Sequence, residues 1–296
     1  MKKGDAIHPP YARRYPRPVA EPVERDSRGI IEPAAARAHF DLRRADPSPS
    51  VGRFVERYWV AEWGLPDGTE FTQQVLVHPV VNLVFGDGFA RVGGVRRERW
   101  ERVLVGRGEV LGVMFRPGGF SPFSDRDLDA LTDRELPLHE VLGPDAVDLD
   151  DAVRSAAGDA DRMALVDRFL AERVPAERVR SEDLSDLVDT VRSDPSVQRV
   201  STLAELAGCT PRQLQRRFAE HVGVGPKWVV RRYRLYEAAE RAAHDHDIDW
   251  AALAAELGYA DQAHLTRDFT SAVGLSPQRY AERCRAGAPP VASFAR

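Results

Sequence analysis

Eight polar side chains stand at two matched places in the chain. Arg212, Gln213, Gln215 and Arg216 occur in PRQLQRRF, and Gln262, His264, Thr266 and Arg267 occur in DQAHLTRDF. An arginine guanidinium can grip O6 and N7 of a guanine with two hydrogen bonds, and a glutamine amide can grip N6 and N7 of an adenine. This is the chemistry of recognition through base edges.

The elements that must carry these groups follow from the spacing. AELAGCTPRQLQRRF (204–218) and VGVGP (222–226) return as AELGYADQAHLTRDF (255–269) and VGLSP (273–277). Leu206 and Leu257, Leu214 and Leu265, Arg216 and Arg267, Phe218 and Phe269, and Pro226 and Pro277 are each 51 positions apart. A fixed period repeated twice marks a pair of modules. Within the first copy, Leu203, Leu206 and Ala207 have the spacing of one helix face, and Gly208 is a helix terminator. Thr210 is an N-cap, with Pro211 in the first helical position. Leu214 and Phe218 face inward, which leaves Arg212, Gln213, Gln215 and Arg216 outward. In the second copy Gly258 is the breaker, Asp261 the N-cap, and Leu265 and Phe269 the inward pair. A short helix, a glycine turn and a second helix with a polar front describe a helix-turn-helix, whose second helix enters the major groove. The bland alternative is a helical bundle with a solvated polar face. Duplication in register favours the helix-turn-helix.

With these residues in view, the region resembles the DNA-binding half of AraC/XylS-type transcription regulators. LGYADQAHLTRDF (257–269) and GLSPQRY (274–280) carry the resemblance, which covers roughly the last third of the chain. It implies two helix-turn-helix units joined by a long helix from Pro226 to about His244, a double-stranded DNA partner and, for an activator, RNA polymerase. Asp268 beside Arg267 departs from the pattern, because its carboxylate could repel phosphate or hold Arg267.

The chain has 296 residues, a net charge of −4 and 43% hydrophobic residues, enough for two ordinary domains. Because the balance is not basic, any affinity for nucleic acid must come from a local patch. From Gly208 to Arg241 there are eight basic residues against three acidic; from Ala242 to Phe269 Arg267 is the one basic residue against six acidic. The first unit and linker are therefore expected to carry most of the affinity, less whatever linker arginines are paired within the fold. Cys209 and Cys284 make neither a disulfide framework nor a metal quartet. No apolar run is long enough to span a membrane, and Lys2 and Lys3 are not followed by a secretory apolar core, so the expected location is the cytoplasm.

Residues 1–48 read as a loosely attached tail, rich in proline, arginine and glutamate at its start. Residues 49–145 switch to short apolar runs between glycine-bearing turns, with Asp87-Gly88 as a hairpin signal. They predict an antiparallel sheet or a small barrel. HPVVNLVF (78–85) and RPGGF (116–120) resemble the strand-rich sensor segment that precedes the DNA-binding half in many AraC-type regulators. That resemblance implies a sensor or a homodimer contact, and the cluster of aromatics with a few polar groups makes Tyr58, Trp59, Trp63, His78 and Arg116 candidate lining residues for a small organic effector. Those aromatics would otherwise simply fill a core. His39, His78 and His139 are scattered, so no metal site is expected. Residues 146–181 read as a helical connector, in which Met163, Val166, Phe169 and Leu170 share one face for packing or for dimerisation. Residues 182–286 form the helical DNA-binding region and 287–296 a tail. The predicted class is α+β: an antiparallel β-rich domain followed by an all-α domain. No GxSxG, GxxxxGK, HExxH or GxGxxG stands in a suitable context, so no catalytic residue, cofactor or membrane partner is expected. Neither cysteine has the cluster that would activate a thiolate.

Overall fold

A computed structural model describes residues 30–31, 36, 38–194, 196–245 and 247–286. Most of the N-terminal tail and all of 287–296 lie outside the described residues; the last part of that tail, 38–48, is not loosely attached, because 40–45 pair with 58–63 in the main sheet. Eight strands, with three short 3-10 helices among them, are followed by ten α-helices among the described residues. β1 (Phe40–Ala45), β2 (Val55–Gly64), β4 (Asn82–Gly86), β5 (Phe89–Gly93), β7 (Arg107–Phe115) and β8 (Glu135–Pro137) form one antiparallel sheet in the order β1-β2-β7-β4-β5-β8. β3 (Glu70–Val75) and β6 (Trp100–Val105) form a separate two-stranded ribbon. The sheet is open; β1 and β8 do not pair, so the barrel alternative is not realised. Asp87-Gly88 makes the β4–β5 turn as the dipeptide predicts, with Gly88 at φ 75°.

Alternation along β2 decides the two faces of the sheet. Tyr58 and Val60 are buried with Leu83, Phe85, Leu111, Val113 and Phe115. Helices close over this inner face: α1 (Leu138–Leu142), α2 (Asp145–Ser155) and α3 (Asp159–Ala171) contribute Leu138, Leu149, Val153, Val166, Phe169 and Leu170 to the same core. The amphipathic face of α3 is therefore packing for the sheet. On the opposite face, Trp59 and Trp63 lie against the backbone of β7. A β-carbon on Gly112 would fall 1.9 Å from the Trp59 ring, and one on Gly108 2.3 Å from Trp63, so this close approach needs glycine.

The helical region starts with α4 (Arg180–Ser193), followed by α5 (Val200–Leu206), α6 (Pro211–Val222), α7 (Pro226–His244), α8 (Trp250–Glu256), α9 (Gln262–Val273) and α10 (Pro277–Ala286). It has two cores, as the repeat implies. Leu203, Leu214, Phe218 and Val222 pack with Leu187 and Val188 in the first; Leu253, Leu257, Leu265 and Phe269 pack with Tyr280 in the second. α7 joins them, giving Val229 and Val230 to the first and Leu235, Ala238 and Ala242 to the second.

The β region docks on these helices through polar contacts. Arg116, at the head of RPGGF, donates to Asp189 at 2.5 Å, and Ser185 donates to the Pro117 carbonyl at 2.6 Å. Gly118 sits at φ 79°, reversing the chain beside Ser181. Arg53 holds Glu182 with two hydrogen bonds of 2.9 and 3.0 Å. Burial alone would raise the Glu182 pKa, but the Arg53 and Val179 hydrogen bonds outweigh it and hold this carboxyl below its ordinary value.

Candidate nucleic-acid interface

Each helix-turn-helix is built as its residues dictate. In the first unit α5 stops at Gly208 (φ 59°) and α6 begins on Thr210, whose hydroxyl accepts from the Gln213 backbone at 3.3 Å. The Gln213 side-chain oxygen accepts in return from the Thr210 backbone at 2.9 Å, which completes a capping box. In the second unit α8 stops before Gly258 (φ 72°), and Asp261 caps α9 by accepting from the His264 backbone at 2.7 Å.

The two fronts are alike but not equal. Arg212, Gln215 and Arg216 are exposed on α6, with Gln215 and Arg216 three and four residues after Arg212 and so beside it on the helix surface. The repeat offset places Ala263, Thr266 and Arg267 at the matching positions of α9. Arg267 is exposed and Thr266 half-buried, while Ala263 has no polar group to offer. Gln262 is exposed at the first turn, matching Pro211. Gln213 and His264 are also matched. Both are exposed, but Gln213 commits its oxygen to the cap, and His264 leans edge-on against Tyr259 with ring centroids 5.1 Å apart. The remaining capacity of Gln213 is its amide NH2.

Asp268 settles differently from either sequence expectation. It is buried and takes both oxygens to Arg231 of α7 in a fork, not to Arg267. The other linker arginines are also engaged. Arg232 is buried, donates to the Arg97 carbonyl at 2.7 Å and lies over the Trp228 ring; Arg234 donates to the Gln198 carbonyl. Burial lowers the pKa of both guanidinium groups. Arg241 pairs with Glu237 at 3.0 Å and Glu256 at 2.9 Å. Of the eight basic residues counted between Gly208 and Arg241, the exposed ones with no ion pair or hydrogen bond among the described residues are Arg212, Arg216 and Lys227. The charge asymmetry between the units is therefore smaller than the sequence count.

The five candidate effector residues are not brought together. Tyr58 is in the sheet core, where its hydroxyl donates to Asp167 at 2.9 Å; burial, then Asp167, raises its pKa. His78 stacks on Tyr236 of α7, with centroids 4.5 Å apart, and Arg116 is held by Asp189. Trp59 and Trp63 share the outer face of the sheet. Trp63 borders an open depression with His39, Phe40, Arg107 and Glu109. Sequence reasoning missed all four of Trp63's neighbours here, because they come together only through the pairing of β1, β2 and β7. Among the described residues no group of three or more His, Cys, Asp or Glu is placed to hold a metal, and no helix is long and apolar enough to cross a membrane.

Comparison with known proteins locates the likeness. Residues 203–283 match the family described as Helix-turn-helix domain, and residues 43–137 match a Domain of unknown function (DUF6597). HTH-type transcriptional regulator Rv1931c of Mycobacterium tuberculosis is 34% identical over 82 residues, which are 28% of this chain. The match spans about a third of that relative, 31% of its length. Among solved structures, an apo form of ToxT from Vibrio cholerae strain SCE256 aligns over 80% of this chain and 99% of its own at 11% identity, TM-score 0.39. The C-terminal domain of AraT, a response regulator from Geobacillus stearothermophilus, aligns over 37% of this chain and 91% of its own at 20% identity, TM-score 0.29. The C-terminal region of this chain is a helix-turn-helix domain of the AraC type, preceded by an antiparallel β-rich region.

Proposed function

We propose that the chain is a sequence-specific transcription regulator that binds double-stranded DNA through both helix-turn-helix units. The observation that carries this is the register of α6 and α9. Two helices, 51 positions apart in sequence, have their caps, cores and outward polar fronts in the same order, and one linker helix joins their cores. Arg212, Gln215 and Arg216 are assigned to bases read by the first unit, and Gln262 and Arg267, with Thr266 and His264 beside them, to the second. Gln213 is assigned first to capping, with its amide NH2 left for a contact. In this reading the helical region 182–286 is the DNA-binding domain, and the β region, with β1 and the helices α1 to α3 that cover its sheet, is a domain that senses a small molecule or dimerises. RNA polymerase is a partner if the protein activates. Trp59 and Trp63 keep the effector role, because an aromatic face with a few polar groups suits a small organic ligand. Tyr58, His78 and Arg116 serve packing and docking instead.

The direct test is a gel shift with the DNA upstream of the protein's own gene, against a scrambled duplex of equal length. Retardation of the upstream duplex in excess scrambled competitor supports the reading; equal retardation of both contradicts it. Deleting residues 1–180 should leave DNA binding but abolish any response to inducing conditions. A response unchanged by the deletion refutes the sensing role.

A further inference from the structure

Loops of the β region reach corresponding points on both helix-turn-helix units. α6 ends at Gly223 (φ 92°) and α9 at Gly274 (φ 87°), positions matched by the repeat. Behind α6, the Thr132 hydroxyl donates to the Gly223 carbonyl at 2.6 Å, and a β-carbon on Gly223 would stand 2.9 Å from the Leu128 carbonyl. Behind α9, Arg99 Nη1 donates to the Val273 carbonyl at 3.2 Å, and a β-carbon on Gly274 would collide with that guanidinium. Apolar contacts accompany each point. Val95 is buried in the first helical core and Leu76 in the second, where Tyr236 donates to the Leu76 carbonyl at 2.5 Å. Between the two points Arg232 of α7 is tied to the Arg97 carbonyl.

The last carbonyls of a helix lack partners within it, so a donor placed there fixes the helix end in space. Hydrogen bonds weaken steeply with distance and angle, so these contacts resist small rotations of one unit against the other. They lie at the C-terminal ends of α6 and α9, away from Arg212 and Gln262 at the other ends. We infer that the segments 95–99 and 128–132 form a two-point brace that sets the spacing between the recognition helices, with Arg99 and Thr132 as positioning residues for the distance between half-sites. The inference rests on the DNA-binding reading above and adds that the β region acts as a spacer on the pair of units.

The experiment uses the full chain and a duplex that the wild type selects from a random pool, remade with base pairs inserted or removed between the two protected segments. The quantity read is the ratio of Kd at altered spacing to Kd at the selected spacing, for wild type, Arg99→Met, Thr132→Val, the double variant and Arg99→Lys. The brace predicts that each of the first two substitutions lowers this ratio by about five-fold, the worth of one hydrogen bond. It also predicts that the double variant lowers the ratio further and that Arg99→Lys, which keeps a donor, retains most of it. A merely structural loss would weaken binding at every spacing and leave the ratio unchanged; that result, or identical profiles for wild type and the double variant, overturns the brace but not DNA binding. A wild type that selects no duplex overturns both.

Discussion

Replacing Arg231 with methionine tests how the second unit is fixed to the linker helix. The carboxylate of Asp268 is 8% exposed, and its partner guanidinium is 52% exposed. Exposed ion pairs contribute about 0–1 kcal/mol, whereas removing one partner of a fully buried pair costs about 3–5 kcal/mol because a charge is left without compensation. This pair is buried on one side only, so Arg231→Met should cost about 2 kcal/mol, between those limits. Methionine keeps the apolar stem, which isolates the charge. Asp268→Asn should cost less, about 1 kcal/mol, because the amide oxygen still accepts from Arg231. In the double variant the two losses should fall short of additivity by about 1 kcal/mol, since both remove the same interaction. The assay is urea unfolding of the full chain followed by far-UV circular dichroism, with exposed Arg212→Met as the control. An Arg231→Met loss indistinguishable from the control, or strict additivity in the double variant, would refute the argument.

Other outcomes follow from the same geometry. Arg216→Ala should weaken specific binding by about 1–3 kcal/mol, and Arg267→Ala by less, because the first front also carries Arg212 and Gln215 where the second has Ala263 and Thr266. Quantitative binding of both variants to the selected duplex decides the order. Lys227→Ala should reduce the slope of log K against log salt by about 0.9 if it meets a phosphate, whereas buried Arg232→Gln should leave the slope unchanged. His221, half-buried with Nδ1 2.8 Å from the Ser121 hydroxyl, has its pKa lowered by burial, with Arg180 and Arg217 adding to the effect and Glu220 and Asp127 opposing it. The folded state therefore binds this proton less readily than the unfolded chain. The stability is fully present above the ordinary histidine value of about 6.5 and falls as pH drops below it. Unfolding of His221→Gln at pH values on either side should show a flatter dependence than wild type.

The features legible in the sequence were those set by near neighbours. Thr210, Pro211 and Gly208 act within a turn of their own position, so the helix boundaries of the first unit followed from them, and the repeat carried the same reading to Asp261 and Gly258. Asp87-Gly88 likewise announced its hairpin. Partners far along the chain were not legible. Arg231 looks in sequence like a linker cation available to phosphate; its partner Asp268 stands 37 positions away. Arg116 and His78 look like polar groups among aromatics, yet Asp189 and Tyr236, on the helices that meet the β region, take them up. Gln213 reads in the sequence as a recognition residue, yet its side-chain oxygen is taken by the Thr210 backbone as the third residue of a capping box. The open sheet was not distinguishable from a barrel, because local alternation gives the strands but not whether the outer two meet.

The most direct test of the central claim is a hydroxyl-radical footprint of the full chain on the duplex it selects. Two recognition helices reading one face of DNA should protect two segments about 34 Å apart, one helical turn, and Arg216→Ala should alter sequence preference in one segment alone. Protection confined to a single segment, or a preference unchanged by Arg216→Ala, would contradict the assignment of both units to sequence reading.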